Sequence, residues 1–423
     1  MRRLCLPYGA ARARLEVGET PAASRRVYPV MKVLLLANYL NDRQESMQRF
    51  AALMERGLTQ AGHEVRILRP PAYVGKLHSS AEGLGKWLGY VDKFGLFPPF
   101  LRSAVKWADV VHICDHSNSF YARHIGSVPH LVTCHDLLAI RSAQGEIPQK
   151  RTAWAGRQLQ RLIVNGLTEA QHIVCVSEAT RKDLLRVVNI PENRVSRTYN
   201  SLNYPYSRME AQEAAFRIRQ LGIDPTHSFL LHVGGNQWYK NRVGVFRIFA
   251  ILTQLMPGRS LKLVMVGKPW TSEMRRFVLD HGLSDATLEV TGVAEEDLRA
   301  LYSMASMMIF PSFQEGFGWP IVEAQACGCP VATSNRPPMN EVGGNAAIYI
   351  DPDNPESAAA AVQRALSGID GIRELSLANA ARFKGSTMID SYLSLYDKVC
   401  DGKSKRCIPI NQSEKSAQLQ EQL

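Results

Sequence analysis

Residues 311–331 have the sequence PSFQEGFGWPIVEAQACGCPV and directly follow the short apolar run Met307–Phe310. Such a run is typical of a strand that is buried on both faces. Gly316 and Gly318 allow the loop backbone to approach a ligand closely, and Pro320 suits the first turn of a helix. The stretch therefore predicts a strand, a loop and a helix in that order, with the loop available for binding.

The same alternation of strand and helix extends through the second half of the chain. Predicted helices there include Val243–Leu255, Glu295–Met304 and Pro320–Ala326. The predicted strands are short and rich in Val, Ile and Leu: Phe229–Val233, Leu261–Val266, Leu288–Val290, Met307–Phe310, Val331–Thr333 and Ala347–Ile350. Apolar strands that alternate with helices indicate a parallel sheet covered by helices on both faces.

A similar series occupies the first half and joins the second near residues 200–228. Its predicted helices include Gln44–Ala61 and Ala155–Ala170, and its strands are Val33–Ala37, Val65–Leu68, Val110–Cys114, Leu131–Cys134 and Ile173–Val176. We therefore predict an α/β protein with two Rossmann-like, doubly wound parallel-sheet domains that face each other across a cleft. Ligands of such sheets bind beyond the carboxyl ends of the strands.

The pattern predicts two domains, a last helix and two terminal segments. In chain order these are residues 1–30, 31–205, 206–386, 387–400 and 401–423. The polar last segment is expected to be a disordered tail. Residues 1–30 carry six arginines without apolar periodicity, and we expect them to be disordered or not translated. They are either a transit peptide or the product of an upstream start codon, and we favour the second because Met31 opens a strand-like run.

Composition and charge restrict the class of partner. The 423 residues carry a formal net charge of +11, so we expect an anionic partner such as a nucleotide diphosphate or a membrane surface. We expect no contact with nucleic acid, because the chain lacks zinc-finger spacing, a ribonucleoprotein motif and a long Lys/Arg cluster. No apolar run approaches the roughly 18 residues of a membrane span. Eight scattered cysteines without a Cys-x-x-Cys unit indicate a reducing, cytoplasmic setting.

Two carboxylates flank the loop of the opening stretch. Glu315 lies in the loop before the helix, and Glu323 lies about one turn inside it. Carboxylates so placed suit two separate polyol units, one a sugar and one a ribose, while free amides at the helix start favour phosphate or a sugar hydroxyl. In a second interpretation the stretch is a plain strand–helix connection, and the glutamates are a cap and an exposed helical charge.

The whole stretch resembles the signature of the group 1 (family 4) glycosyltransferases, which have the GT-B fold. The shared features are two glutamates separated by seven residues around Gly-Phe-Gly, followed by a small-residue helix and Gly-x-Pro-Val at residues 324–331. By resemblance, Glu315 is a catalytic residue beside the transferred sugar and its anomeric centre, and Glu323 binds the ribose of the nucleotide. Loop residues between them contact sugar hydroxyls and phosphate through backbone amides: Gly316, Phe317 and Gly318.

A second region of resemblance is Leu231–Arg242, with the sequence LHVGGNQWYKNR. Its glycines and cations suit a diphosphate cradle at a helix start, so Gly234 is a predicted donor-binding residue with the residues that follow. The family usually has an Arg directly after this glycine, where the chain has Gly235, and a Lys five positions later, where it has Lys240. We expect Arg242 to supply the missing charge. In a second interpretation the region is a tight turn with surface cations.

A third region is the predicted strand end with His135 and Asp136. Related enzymes carry a His-Asp pair here that touches the donor sugar or the acceptor hydroxyl, so His135 is the second predicted catalytic residue. Asp136 is either an acceptor-side residue or the cap of the following turn. By resemblance, two strand ends of the second domain enclose the nucleobase, which adds Gly267 and Val293 to the predicted donor site.

Polar residues at two further strand ends predict the acceptor side. Asn38 opens the loop 38–44, where many family members have a Gly-Gly pair. His116 follows another strand end, with His112 and Asp115 near it. A metal site is the alternative for this His-Asp-His group, but there is no fourth ligand at a suitable spacing, so we predict hydrogen bonds to the acceptor.

An aromatic and basic stretch in the first domain has two interpretations. Its aromatic residues are Trp87, Tyr90, Phe94, Phe97, Phe100 and Trp107, interleaved with Lys86, Lys93, Arg102 and Lys106. The stretch either lies on an anionic membrane that presents a lipid-linked acceptor, or is a helix packed on the sheet with solvated cations. We favour packing, since aromatic stripes more often belong to a core.

The resemblance covers most of residues 31–400 and implies a retaining enzyme whose second domain binds the donor and whose last helix crosses back to the first, acceptor domain. We expect transfer of a hexose-type sugar from a UDP- or GDP-sugar to a hydroxyl, by front-side displacement without an obligatory metal or other cofactor. The acceptor would belong to glycan, polysaccharide or glycolipid assembly. Two rival functions stay open: a non-catalytic nucleotide-sugar-binding subunit, and a GT-B-fold epimerase or phosphorylase. We expect a cytoplasmic protein, with peripheral contact to the inner membrane face as an open question.

Overall fold

The computed structural model describes residues 28–42, 44–75 and 84–401, with backbone alone for 84–86, 369 and 370. The first half forms a six-stranded, all-parallel sheet in the order β2-β1-β3-β4-β5-β6. Its strands are β1 Lys32–Leu36, β2 Glu64–Leu68, β3 Val110–Ile113, β4 His130–Cys134, β5 His172–Cys175 and β6 Val195–Arg197. Its helices are α1 Glu45–Gln60, α2 Leu84–Tyr90, α3 Phe97–Ala104, α4 Leu138–Ala143, α5 Trp154–Glu169 and α6 Glu178–Val187.

The second half repeats this plan with a six-stranded parallel sheet in the order β12-β11-β10-β7-β8-β9. Its strands are β7 Ser228–Gly234, β8 Leu261–Gly267, β9 Thr287–Val290, β10 Met307–Phe310, β11 Val331–Ser334 and β12 Ala347–Ile350. Its helices are α7 Ala211–Gln220, α8 Arg242–Leu255, α9 Ser272–Asp280, α10 Glu295–Met304, α11 Trp319–Ala326, α12 Met339–Gly343, α13 Pro355–Ala365 and α14 Ile369–Ala380.

Both faces of the second sheet are buried. Leu231 packs in one apolar cluster and its neighbour Leu230 in another, because successive side chains of a strand point to opposite faces. The alternation of apolar runs and helices in the sequence has this physical origin. The predicted fold class, two doubly wound parallel sheets, is confirmed.

A last helix, α15 Gly385–Asp401, follows the second half and packs on the first sheet. Tyr396 Oη lies 2.8 Å from His112 Nδ1, and His112 Nε2 lies 2.8 Å from Thr133 Oγ1. Thr133 Oγ1 in turn lies 2.9 Å from Tyr392 Oη, and all four side chains are fully buried. His112 is thus a structural partner of α15. The exact domain boundaries stay a prediction. Of the helices in the described residues, none combines the length and the apolar character that crossing a membrane requires.

Candidate active site between the two sheets

The loop between β10 and α11 meets the end of β4. Gly318 has a φ of +99° at the start of α11, a conformation that favours glycine. A Cβ at Gly316 would lie 1.9 Å from the backbone oxygen of His135. Ser177 Oγ donates to the Gly316 carbonyl oxygen at 2.8 Å, which fixes the loop against the start of α6. The predicted residues Gly316 and His135, from different halves of the chain, therefore lie in contact.

An ion pair joins the loop after β10 to the turn after β7. Lys240 Nζ lies 2.7 Å from Glu315 Oε1 and 2.9 Å from Oε2. The side chains are 16% and 8% exposed, so the pair is largely shielded from water. Strands β7 and β10 are neighbours in the sheet, which brings the two loops together. The structure thus pairs the predicted catalytic carboxylate with the predicted diphosphate cation.

Two glycines allow the backbone ends of β7 and β8 to lie side by side. Gly234 and Gly267 are paired in the parallel register. A Cβ at Gly267, whose φ is +138°, would lie 2.0 Å from the Gly234 oxygen. Gly235 follows at the turn, where a Cβ would lie 2.5 Å from the side chain of Gln237. The carboxyl ends of β7 and β8 thus offer backbone groups to a ligand, as the predicted donor role requires.

Arg242 lies beneath this turn and is 2% exposed. Its Nη1 donates to the Lys268 carbonyl oxygen at 2.8 Å and to Asn236 Oδ1. Nε and Nη2 are buried and have no hydrogen-bond partner among the described residues. Arg242 therefore ties the turn after β7 to the turn after β8, and its direct contact with a diphosphate stays a prediction.

Glu323 is 4% exposed on α11, so the interpretation as an exposed helical charge is wrong. Its Oε2 accepts a hydrogen bond from Tyr302 Oη at 3.0 Å, and Asn203 Nδ2 lies 3.5 Å from Oε1. Burial raises the pKa of Glu323 to about 7. The carboxyl group therefore changes charge near neutral pH.

This raised pKa predicts a pH-dependent effect of Glu323→Gln on stability. The folded pKa of about 7 lies above the ordinary 4.5, so the wild type loses stability as the pH rises from about 4.5 through about 7. A glutamine does not ionise, and the variant should gain on the order of 3 kcal/mol over the wild type at pH 8. Thermal melting at pH 5 and pH 8 measures this difference. The exposed Glu356→Gln is the control, and an equal shift in melting temperature at both pH values would contradict the expectation.

His135 and Asp136 follow β4 at the meeting of the two halves. His135 Nε2 lies 2.9 Å from the Cys114 carbonyl oxygen, and its ring contacts Phe50 edge-on at 4.7 Å. A carbonyl oxygen only accepts, so Nε2 donates and Nδ1 of the neutral ring is left as an acceptor. Burial lowers the pKa of His135 and favours this neutral form. Asp136 Oδ1 accepts from the Leu138 amide at 3.0 Å, as its turn-cap interpretation requires, and its acceptor-side role stays a prediction.

The predicted acceptor-side residues Asn38 and His116 converge on one carboxylate. Asn38 Nδ2 lies 2.6 Å from Asp115 Oδ2, and His116 Nδ1 lies 3.1 Å from Oδ1 at an angle outside hydrogen-bond geometry. Burial acts to raise the pKa of Asp115, but the charge of His116 outweighs it and the pKa is lowered. Asn38 Oδ1 is buried and has no hydrogen-bond partner among the described residues. Asp115, which directly precedes His116 in the sequence, therefore lies at the centre of this group.

The side chains of Phe317 and Val293 pack towards the core. Phe317 is 5% exposed, and its ring lies 5.7 Å from that of Phe383. Phe317 therefore has its backbone, and not its ring, available to a ligand. Val293 follows β9 and packs, partly buried, on the same apolar cluster.

Two contacts between the halves were absent from the sequence-based site. Ser177, the N-cap of α6, accepts a hydrogen bond from Thr180 N at 3.1 Å and also donates one to the Gly316 carbonyl oxygen. Glu341, at the start of α12, accepts from the Glu178 amide at 2.7 Å. A Ser before a helix indicates an N-cap. No sequence pattern indicates either contact with the other half.

The close approach of Gly316 predicts a large effect of Gly316→Ala. The added methyl group would overlap the His135 backbone oxygen, so the two loops cannot keep the arrangement seen here. We expect a loss of transfer of at least about 100-fold, measured as kcat/KM. The control Gly371→Ala places a methyl group in open space on α14. Full activity of Gly316→Ala would show that this contact is not needed in the reacting state.

Comparison with known proteins covers both halves of the chain. A model of glycosyl transferases group 1 matches residues 214–382, and a model of glycosyltransferase family 4 matches residues 47–204. The O-antigen chain mannosyltransferase B of Escherichia coli is 25% identical over 77% of this chain and 86% of its own length. The D-inositol 3-phosphate glycosyltransferase of Acidothermus cellulolyticus is 27% identical over 69% of this chain and 67% of its own length.

Solved structures show the same fold. Sucrose-phosphate synthase from Thermosynechococcus elongatus matches with a TM-score of 0.70 at 18% identity, covering 88% of this chain and 100% of that structure. Anabaena HepE in complex with UDP-glucose matches with a TM-score of 0.64 at 16% identity, over 87% of this chain and 100% of that structure. The chain belongs to the group 1 (family 4) glycosyltransferases and is a transferase with the GT-B fold.

Proposed function

We propose that this enzyme transfers a hexose-type sugar from a nucleoside diphosphate sugar to a hydroxyl group, with retention of anomeric configuration. The acceptor is a glycan or a lipid-linked saccharide under assembly. The observation that carries the proposal is the Lys240–Glu315 pair, which lies where the loops of two adjacent strands meet the His135 backbone. Relatives named for O-antigen mannosyl transfer and a neighbour solved with UDP-glucose support the substrate class.

In the proposed reaction each group has a defined task. The acceptor oxygen attacks the anomeric carbon from the face that the diphosphate leaves, and its proton passes to the departing phosphate oxygen. Lys240 and the backbone amides after β7 and β10 stabilise the negative charge of the leaving diphosphate. Glu315 lies beside the anomeric centre, and the buried Glu323 binds the ribose. His135 presents Nδ1 as an acceptor to a sugar hydroxyl.

A donor screen tests the proposal. Binding and slow hydrolysis are measured with UDP-, GDP- and ADP-sugars, with and without EDTA. We expect saturable binding of one donor class and release of its sugar, with no requirement for a divalent metal. Failure to bind any nucleotide sugar would overturn the proposal.

The same screen separates the rival functions. Binding without any hydrolysis or transfer would identify a non-catalytic subunit. An altered sugar that is still attached to the nucleotide would identify an epimerase. Cleavage of a glycan with inorganic phosphate as the only other substrate would identify a phosphorylase.

A further inference from the structure

Exposed aromatic and aliphatic side chains are concentrated in one stretch of the first half. Of fifteen large apolar side chains that are exposed among the described residues, six lie between residues 73 and 100. We define them as the aromatic patch: Tyr73, Trp87, Val91, Phe94, Leu96 and Phe100. Trp87 is 63% exposed and Phe100 is 51% exposed. The rings of Tyr73 and Phe100 lie 6.2 Å apart, and Tyr90 lies between Trp87 and Phe94 at 5.7 and 5.8 Å. Clustered exposed apolar side chains of this kind often mark an interaction site.

The aromatic patch is held by a local irregularity of the helix. A π-helical turn, Val91–Leu96, joins α2 to α3 and changes which side chains face the core. Phe97 and Leu101 are buried, whereas Phe94 and Leu96 face solvent. The aromatic stretch therefore divides into a packed part and an exposed part, and packing on the sheet explains only the first.

A buried carboxylate anchors this turn from below. Asp92 is fully buried and accepts hydrogen bonds from Tyr39 Oη at 2.8 Å, Gly75 N at 2.9 Å and Val74 N at 3.0 Å. These bonds fix the helix to the loop after β1 and to residues 73–75. The exposed side chains thus stand on a fixed support.

The charge around the aromatic patch is positive. Asp92 is the single acidic residue of the stretch 84–107, and it is buried, so this stretch has no exposed carboxylate. Arg102 and Lys106 are exposed there, and Arg123 is exposed next to His124, whose Nδ1 lies 3.1 Å from Arg102 Nη2. Lys93 is paired with Asp42 at 3.0 Å. Exposed aromatic rings beside exposed cations complement a surface with an apolar interior and anionic head groups.

The aromatic patch adjoins the acceptor-side loop. Tyr39, which bonds Asp92, follows Asn38 directly in the loop after β1. Asn38 in turn contacts Asp115 at the end of β3. A surface that docks on the aromatic patch would therefore approach the cleft from the side of the proposed acceptor.

We infer that the aromatic patch docks this enzyme on an anionic phospholipid leaflet. The rings of Trp87 and Phe100 enter the interfacial region, and Arg102, Lys106 and Arg123 attract the lipid head groups. The purpose, access to a lipid-linked acceptor, rests on the proposed function, whereas the docking itself does not.

Vesicle co-sedimentation of the full chain tests the inference. The vesicles contain phosphatidylcholine with or without phosphatidylglycerol. We expect binding to the anionic vesicles that weakens as salt is added. The double variant Trp87→Ser/Phe100→Ser should bind at least about 10-fold more weakly.

The chain offers a matched control in Trp154→Ser/Phe216→Ser. These two residues are 68% and 62% exposed and lie outside the aromatic patch, on α5 and α7. The control pair should bind vesicles as the wild type does, and melting temperature and donor hydrolysis without vesicles should stay unchanged in both double variants. Equal loss in the two double variants, or no binding by the wild type, would overturn the inference.

Two further measurements distinguish membrane docking from a dimer interface and from the proposed function. Analytical ultracentrifugation without lipid would reveal a dimer that Trp87→Ser/Phe100→Ser dissolves, which would assign the aromatic patch to a second copy and overturn membrane docking. Vesicle binding by a protein that fails the donor screen would support docking while contradicting the proposed function.

Discussion

Glu315→Ala should lower kcat for sugar transfer by about 1,000-fold, which corresponds to about 4 kcal/mol of lost transition-state stabilisation. Its carboxylate is 8% exposed and paired with Lys240, and it belongs to the loop whose Gly316 contacts the His135 backbone. A group in this position acts on charge that develops at the reacting centre, so its loss should reduce kcat more than donor affinity. Donor Kd from titration and kcat from initial rates separate the two effects.

Two variants control this experiment. Glu315→Gln keeps the size of the side chain without its charge and should be nearly as slow as Glu315→Ala. Glu146→Ala removes a carboxylate that is paired with Arg141 and Arg186 away from the proposed donor site, and it should leave kcat within about 2-fold. If Glu315→Ala weakened donor binding and left kcat unchanged, Glu315 would be a support for Lys240 and not a group at the anomeric centre.

The fold follows from the sequence because its elements are strongly patterned. Each strand except β6 appears as a short apolar run, and the central strands β3 and β10 are buried along their whole length. Strand β6 was missed because it has only three residues, of which Ser196 and Arg197 are polar. The other edge strands, β2, β9 and β12, were predicted because they keep enough apolar residues to form a recognisable run.

The proximity of Glu315 and Lys240 was predictable in part. Each follows a strand of the second half, and carboxyl ends of parallel strands share one edge of the sheet. That β7 and β10 are direct neighbours depends on the strand order, which the sequence pattern does not contain. The same holds for Glu341, whose contact with the Glu178 amide depends on how the two halves pack.

Residue type also leaves the direction of a side chain open. Arg242 was predicted to supply charge to the diphosphate, and this stays a prediction; its guanidinium is buried and donates to the Lys268 carbonyl oxygen. Phe317 lies within the family signature, and its ring packs in the core. In both cases the position along the chain was informative, while the orientation depended on the packing of neighbouring elements.

Lys240→Met should be the second severe substitution, with a loss of about 100- to 1,000-fold in kcat/KM. The variant removes the cation that stabilises the leaving diphosphate, so we expect both donor affinity and kcat to fall. It also leaves the shielded Glu315 carboxylate without its ammonium partner, which should reduce the free energy of unfolding by on the order of 2 kcal/mol. Lys240→Arg should restore part of the activity, since it keeps the charge.

The double variant Lys240→Met/Glu315→Ala distinguishes a coupled pair from two separate contributions. In the double variant no unpaired carboxylate remains, so its stability should return towards that of the wild type. Its kcat/KM should be higher than the value expected if the reductions in the two single variants simply multiplied, because groups that act as a unit are not additive. Lys262 lies at the end of β8 that is remote from Gly267 and the proposed donor site. The variant Lys262→Met therefore controls for the loss of a lysine. Strict additivity in both stability and rate would mean that the ion pair seen here does not contribute to the reacting state, and that Lys240 and Glu315 meet different parts of the substrate.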